Sequence, residues 1–395
     1  MKFSRNLKLA LGGLSVVALA ACGGGGGSGS GDSAVAPGTL RLAMTDAPAC
    51  GYDAVNVTVQ KIRVNQNSGA SETDGGWSEI VLNPAKRVDL LDLTNGVLEE
   101  LGQTQLPPGK YTQLRLVLAD NNGTLPLANS VVLTSDGSEV ALKTPSGQQS
   151  GLKSNINIDI ASNQLADFVI DFDACKSVVS AGASGQYLLK PVVTMIPRYV
   201  NGVSGYMDAT STGYATTTMS LQQNGVVIKA TVPDVTGKFL LQPVAPGNYT
   251  LVMTAPGRTT TVVTNVPVTT NTVTDVNTVG TPFKPETSDS GSVSGTATVG
   301  TLVRVLQPLT TGPTVEIAGR YVDGITGAYG FPLVVNAPMV APYVAAPSLL
   351  TFVPDTAAAG HYTLNASLSG KADQTMVLSP LAAGATLVVA PLLFP

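Results

Sequence analysis

Charge is what this chain has least of. Only 12% of its 395 residues are Asp, Glu, Lys or Arg, about half the usual share. The 22 basic and 26 acidic side chains leave a formal charge of −4. That balance lacks the basic footprint that phosphate recognition requires, so nucleic acid is excluded as a partner. Histidine, the usual proton carrier near neutral pH and a common metal ligand, occurs once, at His361. A single imidazole cannot supply a His-Glu-x-x-His zinc site, and no Gly-x-Ser-x-Gly elbow or phosphate loop stands in a strand–turn–helix setting. Aromatic residues make up 5% and Trp77 is the sole tryptophan, so ring platforms for sugars are scarce. The chain is expected not to be an enzyme and to need no cofactor.

Three elements are well marked. Lys2, Arg5 and Lys8 precede an apolar run, Leu9 to Ala21, which closes on Leu19-Ala20-Ala21-Cys22. A basic start, a short apolar stretch and small residues at the cut describe an export signal. The run is shorter than the roughly 20 apolar residues of a spanning helix. Leu-Ala-Ala-Cys resembles the lipobox of bacterial lipoproteins, which implies removal of residues 1–21 and lipidation of Cys22. Gly23 stands where an Asp would resemble an inner-membrane retention signal, so the resemblance implies an outer-membrane anchor, on the periplasmic face or the cell surface. Residues 22–38 carry the lipidated cysteine and a Gly/Ser tether, expected to be a disordered coil reaching about 20 Å. Processing removes three basic residues and no acid, leaving 19 against 26 and a mature charge near −7.

Cys50 and Cys175 remain. An even pair in an exported protein is most simply a disulfide, two separate thiols being the alternative. Closing that 125-residue loop would stabilise the fold by up to roughly 5 kcal/mol in the chain-entropy account.

Elsewhere apolar residues recur at every second position between Gly- and Pro-rich turns, the pattern of half-buried strands. Ala54 to Val64 alternates through Val55, Val57 and Val59 and changes phase at Ile62, predicting a bulge near Lys61. Lys153 to Ala161 sets Ile156, Ile158 and Ile160 on one face. The best helix signal is Thr94 to Leu101, with Thr94 or Asn95 as cap. The fold class is therefore all-β, tandem β-sandwiches of transthyretin- or immunoglobulin-like type.

A repeat divides the second half. Pro246-Gly247-Asn248-Tyr249-Thr250-Leu251 echoes Ala359-Gly360-His361-Tyr362-Thr363-Leu364, which makes His361 the counterpart of Asn248, a polar turn position. Upstream, Asp234 to Phe239 echoes Asp323 to Tyr329. Gly237 and Gly247 lie 10 residues apart and Gly327 and Gly360 lie 33 apart, so the second copy carries a 23-residue insertion. A shorter echo lies at Pro108 to Thr112. Expected domains are 39–198, 202–281 and 291–395, the last a diverged repeat, with Pro282 to Gly291 as linker.

Leu40 to Pro48, Val88 to Leu93, Leu106 to Leu116 and Asp171 to Ser177 make the first segment resemble the bacterial domain of unknown function 4382 family of envelope lipoproteins. The resemblance implies a β-rich fold and a location, not chemistry. Val203-Ser204-Gly205, Asp234 to Phe239 and Pro246 to Leu251 make the second resemble carboxypeptidase regulatory-like domains. These are similar to transthyretin and are grouped with carbohydrate-binding-like sandwiches, so the resemblance implies a fold and, more weakly, a sugar ligand.

Carboxylates offer the one metal reading. In Asp167 to Cys175, Phe168, Ile170 and Phe172 share one face of a strand, and Asp171, Asp173 and Cys175 the other. A Cys50–Cys175 bridge would draw Asp46 toward Asp171, and oxygens of Asp46, Asp171 and Asp173 could hold Ca²⁺. Solvated or capping aspartates are the competing reading. Glu99, Glu100, Asp89 and Asp92 are the nearest approach to a glycosidase carboxylate pair. Tyr206, Tyr214, Tyr321, Tyr329 and Tyr343 are candidate sugar-stacking rings. The Pro-rich insertion Val334 to Ala358 is expected to be an edge or a loop, packed on its own domain or exposed as a partner site. The functional expectation is a lipid-anchored binding module for carbohydrate or another envelope component, with a passive spacer as alternative and a Ca²⁺-binding module third.

Overall fold

A computed structural model describes residues 36–46, 51–145, 150–210 and 212–394. Cys22, most of the tether and Cys50 lie outside the described residues. Strands dominate, arranged in six sheets that pair into sandwiches. Among the described residues, no helix is long and apolar enough to cross a membrane.

In the first sandwich, a four-stranded sheet runs Val193–Pro197, Leu165–Phe172, Gly38–Asp46, Glu99–Leu106. Its Leu40, Leu42 and Met44 pack against Val57, Val59, Leu114 and Leu116 of a larger sheet, all almost fully buried. The long strand Tyr52–Asn65 shifts register between Val59 and Lys61 against both neighbours, where the phase change placed a bulge. In Leu152–Ile160, Ile156, Ile158 and Ile160 are buried, as their spacing predicts. The expected helix over Thr94 to Leu101 does not form. Asn95 and Gly96 both take positive φ, 54° and 76°, which turns the chain, and Glu99–Leu106 is a strand. A short 3₁₀ turn lies just upstream instead, at Leu90–Leu93, capped by Asp89.

The second and third sandwiches repeat one plan. In the second, Lys238–Leu241, Gly202–Tyr206 and Val273–Asp275 face a sheet that begins Val226–Thr231, Thr218–Gln223, Gly247–Thr254, Thr261–Val268. In the third, Ala328–Val334, Ser290–Thr296 and Thr386–Val388 face Thr314–Tyr321, Leu302–Pro308, Thr363–Ser367, Gln374–Val377. The echoed residues explain why. Tyr111 and Tyr249 are buried and each donates its hydroxyl to the carbonyl four residues upstream, Pro107 at 3.1 Å and Ala245 at 2.9 Å. Such a bond pins a loop to the strand that follows it. Tyr362 is buried in the same way, but its hydroxyl reaches Val334 at the mouth of the insertion.

That insertion leaves its own sandwich in the middle and is tied back to it at its ends, through Val334, Asp355 and Ala358. Met339–Pro342 adds in parallel to the edge strand Thr261–Val268 of the second sandwich, and Val353–Pro354 follows outside it. Tyr343, Leu350 and Phe352 pack onto the second core, Phe352 meeting Phe283 edge-on at 6.0 Å between ring centroids. The edge position follows from proline, which cannot donate to a central ladder. Which edge it took depended on an apolar strand elsewhere in the chain being open. Phe283, within the expected linker, is itself buried in the second core.

Candidate functional site

The three sandwiches meet at a buried polar junction. Strand Leu165–Phe172 ends at Phe172, and the chain then turns into a four-residue helix, Ala174–Ser177. Asp173 therefore caps that helix, accepting from the Lys176 N–H at 2.9 Å, instead of continuing the polar face of the strand. Cys175 leaves that face for the same reason. Asp171 keeps it, yet the face is covered: Asp171 is 9% exposed. Lys229 of the second sandwich, fully enclosed at 2% exposure, brings Nζ to 2.7 Å from Asp171 Oδ1 and 3.5 Å from the Asp46 carbonyl. Burial pushes the Asp171 carboxyl above its ordinary value, against the pull of Lys229.

The third sandwich completes the junction. Lys176 Nζ lies 3.3 Å from Asp173 and 2.9 Å from Glu316 Oε1. Burial lowers the Lys176 ammonium, but Asp173 and Glu316 outweigh it and hold it above its usual value. Glu316 also meets Arg304 at 3.4 Å, and Arg304 forks onto the Asn365 amide oxygen at 2.6 and 3.2 Å. Gln222 of the second sandwich donates to the Glu316 carbonyl and accepts from its N–H, at 2.8 and 2.7 Å, as a strand neighbour would. Gly319 leaves room for this: a Cβ there would come within 3.0 Å of Lys176 Cε. Clefts of about 190 and 280 Å³ flank the cluster on either side.

Asp46, Asp171 and Asp173 are thus gathered, but by sheet pairing. Strands Gly38–Asp46 and Leu165–Phe172 run parallel with Thr45 opposite Asp171. Asp46 Oδ1 accepts from the Ala174 N–H at 2.9 Å. With Asp171 turned to Lys229 and Asp173 to Lys176, no group of three or more His, Cys, Asp or Glu among the described residues is placed to hold a metal ion. The other carboxylates are engaged separately: Glu99 with Lys86, Glu100 with Arg198, and Asp89 with the N–H groups of Val55 and Leu91. His361 is exposed, its Nδ1 2.9 Å from the Ala359 carbonyl. Tyr329 lies in the third core, Tyr214 and Tyr343 pack on the second, Tyr321 lies beneath the Lys190 ammonium, and Tyr206 is half-buried. Trp77 packs under Arg63 and Arg115.

Sequence reasoning missed Lys176, Lys229, Arg304 and Glu316. The signal was present for two of them: Lys229 and Arg304 are single charges inside apolar strands, Val226–Thr231 and Leu302–Pro308.

Residues 37–191 match the model of the family described as Domain of unknown function (DUF4382). No curated protein matches the chain. Two crystal structures of type II cohesin–X-dockerin complexes from Acetivibrio cellulolyticus match, a C-terminal and an N-terminal interface mutant. Each shows 26% identity over 22% of this chain and 58% of that one, at a TM-score of 0.19. A superposition that poor fixes neither fold nor partner.

Proposed function

We propose, from a first segment that matches a family of unknown function, that this protein is a non-catalytic, lipid-anchored spacer of the bacterial outer envelope. Its three sandwiches act as one stiff body in assembling or extending the surface. The junction carries this reading: Lys229 of the second sandwich pairs with Asp171 of the first, and Lys176 of the first shares Glu316 of the third with Arg304. Buried ion pairs favour one arrangement over others because a displaced partner leaves a charge uncompensated. The arrangement favours a spacer over sugar recognition, since the tyrosines are committed to packing. Anchoring at Cys22 rests on Leu19-Ala20-Ala21-Cys22. A Cys50–Cys175 bridge belongs to the same reading and rests on an even pair of cysteines in an exported chain. The second sandwich's kinship with carboxypeptidase regulatory-like domains rests on the turn and tyrosine residues it shares with the third.

Exchanging residues 1–22 for a cleavable export signal without the Leu-Ala-Ala-Cys motif is expected to move the protein from the membrane fraction to the soluble periplasmic extract. Small-angle scattering of that soluble form should fit a single rigid envelope. Retention of that exchanged form in the membrane would refute the anchor, and a broad distribution of sizes in scattering would refute the stiff spacer.

A further inference from the structure

Lys229 and Asp171 differ from the other ions of the junction. Lys176 is shared between two carboxylates, whereas Lys229 faces one carboxyl and one backbone carbonyl. The pair lines a cleft whose walls mix apolar residues, Val192 and Leu302 among them, with the charged Asp173, Lys176, Arg304 and Glu316. Passing one proton across the 2.7 Å contact, from Nζ to the Asp171 carboxylate, turns the ion pair into an amine beside a carboxylic acid. An amine held against a carboxylic acid holds both reactants of an amide.

We propose that Lys229 and Asp171 condense spontaneously into an isopeptide bond that cross-links the first and second sandwiches. The Nζ lone pair attacks Asp171 Cγ and a nitrogen–carbon bond forms. The bond from Cγ to the hydroxyl oxygen breaks, and that hydroxyl leaves as water with one proton from the amine. One water departs, no electrons change hands, and no co-reactant is needed. Condensation is unfavourable between free groups in water. Fixed partners reach effective molarities of roughly 10⁵–10⁸ M when the reacting atoms are held about 3–3.5 Å apart. The 2.7 Å contact from Nζ to Oδ1 leaves Cγ one bond further on. The Asp46 carbonyl, 3.5 Å from Nζ, lies on the same nitrogen and helps to orient it. The cleft gives the expelled water a way out. This modification goes beyond the spacer role, and its occurrence does not depend on it.

The test is mass spectrometry of the purified full chain, reduced and fully denatured. The expected result is a branched tryptic peptide joining the Lys229 and Asp171 segments, one water lighter than their sum, with no cleavage after Lys229. Lys229→Met and Asp171→Ala should each abolish the branched species. Separate, unmodified Lys229 and Asp171 peptides from the parent protein, with cleavage after Lys229, would overturn the proposal whatever the variants do.

Discussion

Glu316 is 5% exposed and is shared between Lys176 and Arg304. Glu316→Gln keeps the shape and removes the charge on which both cations rely. Taking one partner from a buried pair typically costs 3–5 kcal/mol. Because Lys176 retains Asp173, a loss of about 3 kcal/mol is expected, read from urea unfolding. Asp323 tests the same contact differently. It accepts from the Gly182 N–H at 2.6 Å, reaching from the third sandwich to the first, and from the N–H groups of Ile325 and Thr326. Burial pushes its carboxyl up, but these donors outweigh burial and hold it well below the ordinary Asp range. A depressed carboxylate contributes stability above its unfolded value and loses it as pH falls through the folded one. Asp323→Ala should therefore unfold earlier than the parent at neutral pH. The two should converge as pH drops below about 4, measured by thermal melts across the range.

Among the elements, the repeated Asp–Gly turns are the most constrained. Gly237 and Gly327 have φ of 82° and 69°, and a Cβ at either would lie 2.0 Å from the Met207 carbonyl or 2.1 Å from that of Ala297. Those same neighbours donate back, Met207 N–H to Gly237 and Ala297 N–H to Gly327, each at 2.8 Å. Gly327→Ala and Gly237→Ala should each cost on the order of 1–3 kcal/mol, with the double variant close to the sum because the turns lie in different sandwiches. Chemical denaturation of the three variants measures this. Both turns were legible in the sequence, because only glycine combines positive φ with so close a backbone. The lending of Met339–Pro342 to a neighbouring sheet was not. Apolar, Pro-punctuated residues define an edge strand without saying whose edge.

At the scale of the molecule, three cores are joined by a fourth cluster, in which Val252 and Val262 of the second sandwich meet Leu309, Val315 and Ala358 of the third. With the ion junction and the lent strand, this leaves no sandwich with a complete surface of its own. Equilibrium urea unfolding followed by Trp77 fluorescence and by circular dichroism should give coincident single transitions. Separated transitions would mean that the sandwiches unfold independently and that the junction contributes little.

Sequence alone determined the all-β class, the bulge at Lys61, the buried isoleucines and the repeat, because each is written in local alternation or in a glycine's tolerance of positive φ. It also brought Asp46, Asp171 and Asp173 into view as a group. Only the tertiary structure decided their partners. Lys229 lies 58 residues beyond Asp171 in the chain and Glu316 lies 140 residues beyond Lys176. No local pattern links charges so far apart, and their pairing arises only once three separately formed sandwiches close over the same water-excluded space.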